Sequence, residues 1–177
     1  VQDLISGQTR ARSTTRVNLM IGQRNLRFAR VLGLDALDGA QDLWFGTDLG
    51  LTVGRSVGLF SAEGVPSPDD TFGRARLYAG HDPGSSFVFA AAAIEGRRLR
   101  GEDNGWRDVI GEIDLYSYLR SQRIPGQTLF LRASAAGGWS MESPFQLTLG
   151  GRDAVRGFAE EHSPGARRLL LTVEDRI

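Results

Sequence analysis

Apolar and polar residues alternate along most of this chain, and the alternation divides it into seven segments. At 42–56, Leu43, Phe45, Leu49, Leu51 and Val53 share one face while Gly46, Asp48, Gly50, Thr52 and Gly54 share the other. Strict alternation of this kind is the signature of a half-buried strand. Glycines on the polar face predict that something packs closely against that side. At 106–120, Asp108, Glu112, Asp114, Tyr116 and Tyr118 oppose Val109, Gly111, Ile113, Leu115 and Leu119. The segment 16–32 begins as cleanly but blurs through Gln23-Arg24-Asn25. At 72–80, Arg74, Arg76 and Tyr78 oppose Ala75, Leu77 and Ala79, and at 127–139 Leu129 and Leu131 oppose Thr128 and Arg132. At 167–176, Leu169, Leu171 and Val173 oppose Thr172, Glu174 and Arg176. Residues 86–99 contain an alanine run that could pass for a helix, but length and neighbours read as a strand. The expected fold class is all-β and antiparallel, with about seven consecutive strands.

The connections add a second pattern. Those at 34–41, 81–85 and 121–126 are short, whereas 58–71 and 140–165 are long, with 100–105 a short exception on the long side. Short turns at one end and long loops at the other are the arrangement of outer-membrane barrels. The strands are also longer than the usual 5–6 residues. Their charged face carries both signs on successive strands: Arg74 and Arg76, Glu112 and Asp114, Arg132, then Glu174 and Arg176. An arginine facing lipid at mid-depth costs about 2–4 kcal/mol, so in a membrane barrel that face points inward. Trp106 and Trp139 fall at strand ends, where aromatic girdles sit. The competing reading is a soluble β-sandwich or lipocalin-like barrel, with the charged face outside.

Composition narrows the choice. The 177 residues make one domain or a piece of a larger one, and a start at Val1 without initiator Met or signal peptide predicts a piece. A formal net charge of zero gives no bulk attraction to nucleic acid. Every basic residue is Arg, the cation suited to forked pairing with carboxylates in confined places. The absence of cysteine excludes disulfides and thiolate chemistry. The longest apolar run, Phe87 to Ile94, falls well short of the roughly 20 residues of a transmembrane helix.

Candidate chemistry is sparse. Gly54-Arg55-Ser56-Val57-Gly58 matches the G-x-S-x-G pattern, but a nucleophile elbow needs a helix after it and a Gly/Pro/Asp-rich loop follows. His81 and His162 fall in turns or loops, weak ground for a metal site. Asp108, Glu112 and Asp114 read as a solvated lumen wall rather than a cation site. Gly150-Gly151 is no phosphate cradle, because no helix follows. No enzyme activity, cofactor or metal is expected.

The 140–165 connection is far longer than a hairpin loop and carries Gly150-Gly151-Arg152-Asp153-Ala154-Val155-Arg156-Gly157-Phe158. With a following strand that ends Val173-Glu174-Asp175-Arg176, this resembles the Omp85 superfamily of BamA- and TamA-like barrels. The signature there is a glycine-led approach to Val-Arg-Gly-Phe/Tyr in the sixth extracellular loop, then a strand with Glu-x-Arg. The match covers about 35 residues, and what precedes them agrees in pattern only.

The resemblance implies a sixteen-stranded barrel in the bacterial outer membrane whose sixth loop folds back into the lumen. It implies that Arg156 faces acidic residues of the inner wall, that Gly157 permits the tight backbone and Phe158 packs beside it, and that Glu174 is the acidic partner. The function implied is assembly or insertion of outer-membrane proteins, or polypeptide translocation. The implied partners are the lipid bilayer, client polypeptides, and accessory lipoproteins or periplasmic modules. The family's periplasmic modules and terminal aromatic strand are not among these residues, and seven strands cannot close such a barrel, so the chain is expected to be an internal piece of a longer protein. The alternatives are a passive porin-like or structural barrel, and a soluble all-β binding domain.

Overall fold

The computed structural model describes residues 14–35, 39–60, 69–84, 86–101, 105–150, 155, 157–159 and 163–177. Seven strands, β1 (Thr15–Leu32), β2 (Ala40–Val57), β3 (Asp70–His81), β4 (Ser86–Leu99), β5 (Trp106–Arg120), β6 (Thr128–Trp139) and β7 (Arg167–Arg176), form one sheet. Each pairs antiparallel with the next in sequence order, and β1 and β7 do not pair, so the sheet is an open meander. A 3-10 turn at Gly58–Phe60 follows β2, and the described residues contain no α-helix. No helix is therefore long and apolar enough to cross a membrane, which says nothing of crossing by strands. The strand ends lie within two residues of those that alternation marks. The alanine run is strand because β4 bonds to a neighbour along both edges, leaving no backbone group for a helical pattern.

The two faces differ sharply. On the inner face, Leu34, Phe45, Phe87, Phe89, Tyr118 and Phe130 form one buried cluster. The β1–β2 turn folds across it: Arg176 Nη1 donates to the Leu34 carbonyl at 3.2 Å and Arg120 Nη2 to the Leu32 carbonyl at 2.8 Å. A turn between the first two strands thus touches β5 and β7, and the sheet curls round this face. The outer face keeps its apolar residues uncovered, from Leu19 (66% exposed) on β1 to Leu171 (74%) on β7. Contiguous exposed apolar surface on this scale marks an interaction face, for protein or for membrane. Its ends carry aromatics. Trp44 meets Phe28 edge-on at 5.5 Å near the turns, and Trp139 and Trp106 lie against Gly111 and Gly96 near the long connections.

One expectation about β2 is corrected. Leu43 and Phe45 do not share a face with Leu49, Leu51 and Val53; Phe45 is buried on the inner face with Leu43 packed against its cluster, the side that Asp48 also occupies, while those three are exposed on the outside. Gly46, with φ +116°, shifts the alternation by one residue. β1 shifts at the same level, for Arg24 pairs inward with Asp48 while Arg27 lies over the Phe45 ring. The blurred pattern at Gln23-Arg24-Asn25 marks that shift. A Cβ at Gly46 would collide with the Asn25 carbonyl, so only glycine fits. The expected close packing on the glycine face is present: the Arg76 side chain crosses Gly50, and Asn18 with Arg16 crosses Gly54.

Gly46→Ala should lower stability by about 1–3 kcal/mol from backbone strain, plus the cost of moving the Asn25 backbone. Gly84→Ala, also at positive φ but with open space around it, should show the strain alone. Urea unfolding of the two variants in one detergent checks the difference.

Candidate functional site on the inner face

At the long-connection end the inner face is organised by Arg97. Between Glu95 and Arg97 the β4–β5 pairing is irregular, with three steps on β5, Ile110 to Arg107, opposing two on β4. The extra residue is a bulge, a device that re-aims a side chain. Asp108 sits in it at φ +47° and receives Arg97 Nε at 2.7 Å. Asp108 also accepts the backbone N–H groups of Glu142 and Ser143 at 2.6 and 2.9 Å. Glu142 in turn pairs with Arg97 and with Arg107, the latter at 3.1 Å. The root of the 140–165 connection is thereby tied to the inner wall.

Asp70 completes the cluster from the start of β3. It is almost fully buried, accepts the Ser56 hydroxyl and Arg16 Nη2, and has Arg97 Nη1 at 3.6 Å. Ser56 thus spends its hydroxyl on Asp70 at a strand end followed by a 3-10 turn, which is not the geometry of a nucleophile elbow. In the middle of the face, Asp48 takes Arg24 at 2.8 Å and Arg76 at 3.4 Å, and Asp114 takes Arg132 at 2.7 Å. Asp108 and Asp114 are therefore engaged by guanidinium groups. Among the described residues no group of three His, Cys, Asp or Glu side chains is placed to hold a metal.

At the turn end Asp35 is the focus. It accepts the Tyr118 hydroxyl at 2.8 Å and Arg176 Nη1 at 2.8 Å, and its backbone N–H donates to Gln41. Burial alone would raise the Asp35 carboxyl, but hydrogen bonds from Gln41, Arg176 and Tyr118, with the Arg176 charge, hold it below its ordinary value. Glu174 faces inward, as alternation predicts, and receives Arg176 Nη2 at 2.7 Å.

The residues singled out in the long connection are described in part. Gly150 bridges to Val155, whose N–H donates to the Leu149 carbonyl at 2.8 Å. Gly157 has φ +90°, a conformation that suits glycine, and Phe158 is half exposed. Gly151 and Arg156 lie outside the described residues, so the Arg156–Glu174 contact does too, as does His162. Sequence reasoning missed Arg97 and Asp35. Only the adjacency of Arg97 to a strand end, and of Asp35 to the turn glycine, hinted at either. No family model matches the chain, and no curated protein or solved structure shows significant similarity to it.

Removing Arg97 takes one guanidinium away from Asp70, Asp108 and Glu142 in a buried place. Arg97→Met should therefore destabilise the protein by about 3–5 kcal/mol, measured by thermal or urea unfolding. Because the folded Asp35 carboxyl is depressed, its stabilisation is full above its ordinary value of 3.8 and is lost as pH falls through the lower folded value. The stability gap between wild type and Asp35→Asn should accordingly hold near neutrality and narrow only below that value in an acid titration of melting temperature.

Proposed function

We propose that the chain is part of an Omp85-type transmembrane β-barrel in the bacterial outer membrane, acting in insertion of outer-membrane proteins or in polypeptide translocation. One observation carries the membrane part of this reading. A single sheet keeps an uncovered apolar face edged by aromatics at both ends, and a second face whose charges pair with one another. A soluble domain would bury the first face and solvate the second. The strands have 10–18 residues, enough for the 9–11 that a tilted membrane strand needs.

The narrower assignment rests on the motif from Gly150 to Phe158 and on Glu174. In this reading β1 and β7 are continued by further strands toward sixteen, and the bilayer covers the outer face. Arg156 enters the lumen and meets Glu174, a forked pairing that a confined guanidinium needs. Clients arrive from the side of the short turns, with accessory lipoproteins or periplasmic modules delivering them. The chain performs no covalent chemistry and needs no cofactor.

Two measurements test the reading. Purified protein should require detergent or lipid to remain dispersed; a chain that stays monomeric in plain buffer points to a soluble binding domain. Arg156→Ala and Glu174→Ala should each impair assembly or translocation, with a coupling of about 0.5–3 kcal/mol in a double-mutant stability cycle. Additive effects would remove the pairing. Channel conductance combined with undiminished outer-membrane assembly in cells lacking the protein would favour a passive pore.

A further inference from the structure

The inner face at the turn end is occupied by the chain's own turn. A turn residue beside a glycine at positive φ ordinarily faces solvent, yet Leu34, next to Gly33 at φ +74°, is fully buried. It belongs to the same cluster as Phe45, Phe87, Tyr118 and Phe130, whose rings pack at centroid distances of 4.9–5.7 Å along the inner wall. The polar contacts around it divide by sign. Arg176 and Tyr118 donate to the Asp35 carboxylate, Arg176 also donates to the Leu34 carbonyl, and Arg120 donates to the Leu32 carbonyl. On this side the wall meets the turn with donors and aromatic surface, Glu174 sharing Arg176 with Asp35; the described turn residues meet it with carbonyls, one carboxylate and one aliphatic side chain. None of those features is peculiar to a turn.

Arg120 stacks over Phe87 at 4.9 Å and Arg176 over Phe130 at 4.4 Å, so the cations are held at the rim by the same rings that form the floor. Beside the turn a groove of about 680 Å³ runs between Leu32, Asp82, Phe87, Arg120 and Gln127, open to the end where the short turns lie. A segment of another chain could reach the cluster along it.

We propose that this aromatic seat is a polypeptide-binding site, occupied at rest by Gly33-Leu34-Asp35, that accepts an extended segment in which an aliphatic residue precedes an acidic one. The inference deepens the polypeptide-handling reading above and rests on it. The aliphatic side chain takes the place of Leu34, the carboxylate replaces Asp35 at Arg176 and Tyr118, and the backbone carbonyls replace those that Arg120 and Arg176 now satisfy. Displacement of the turn exposes the seat only when something else fills it, which keeps a wide aromatic surface covered in the resting protein.

The test uses the full chain in detergent micelles with short peptides carrying a photoreactive leucine analogue before Asp. Cross-links should map to the segments holding Phe87, Tyr118 and Phe130, and should rise several-fold in Asp35→Asn, whose turn is held less firmly. Leucine-Asp peptides should outcompete leucine-Asn peptides, and Arg176→Gln should abolish that preference while Arg123→Gln, on the exposed β5–β6 turn, leaves it intact. A second measurement covers the case in which Asp35→Asn fails to fold. The chain has no native cysteine, so Leu34→Cys gives a single reporter that should react slowly with a soluble maleimide and faster with excess peptide. Equal cross-linking with and without the turn contact, cross-links scattered outside the seat, or a maleimide rate in Leu34→Cys indifferent to peptide would overturn the proposal. Dispersal without detergent would overturn the membrane reading separately, and the cross-link map, taken then in buffer, would still decide the seat.

Discussion

The close approach of Gly46 to the backbone of Asn25 sets the character of the whole inner face. At that level both β1 and β2 shift their alternation by one residue, so one sheet has two interiors. Toward the turns, odd-numbered residues of both strands point inward and bring Ala29, Val31, Leu43 and Phe45 to the aromatic cluster. Beyond the shift, even-numbered residues point inward and bring Arg24 and Asp48 to the ion pairs. A regular strand could not do both, because a period of two carries one residue set along one face from end to end. A side chain at position 46 would hold these strands apart and make the two zones incompatible.

The ion pairs then follow from adjacency. A carboxylate drawn out of water needs a partner and hydrogen bonds in place of solvent, and the inner face supplies them locally, strand against adjacent strand, as at Asp48, whose side chain is 12% exposed. Asp48 lies between Arg24 and Arg76, and Asp114 beside Arg132. Where neighbouring strands do not supply the partner, the backbone is deformed to obtain it: the bulge at Asp108 turns a carboxylate to Arg97 and at the same time captures two N–H groups from the root of the long connection. A connection begun in this way is directed toward the wall from its first residues.

Much of this architecture was legible in the residues. Alternation gave seven strands in meander order, and it placed Glu174, Asp114 and Arg76 on the inner side. Leu43 and Phe45 were misplaced because hydrophobicity alone cannot tell an apolar inner position from an apolar outer one; both read as apolar, and only the positive φ at Gly46 separates them. The blur at Gln23-Arg24-Asn25 was visible, but its cause lies in a strand that pairs with it, which a linear pattern does not contain. Arg97 and Asp35 escaped for a related reason. Their charged partners are 11 to 141 positions away, and nothing local distinguishes a paired arginine from a solvated one. Glycine-rich stretches spoke more clearly: those on β2 announced the crossing of Arg76 and Asn18.

The uniform use of arginine gives the inner wall a one-sided sensitivity. A guanidinium keeps its proton throughout the range in which proteins survive, so every cation at Asp48, Asp70, Asp108, Asp114 and Asp35 is permanent. Only the carboxylates can change state, and they do so by gaining protons. Alkali therefore leaves these bridges whole, and only a proton added to a carboxylate can open one. Lysine in the same places would let the wall loosen from both directions. This wall yields to one alone.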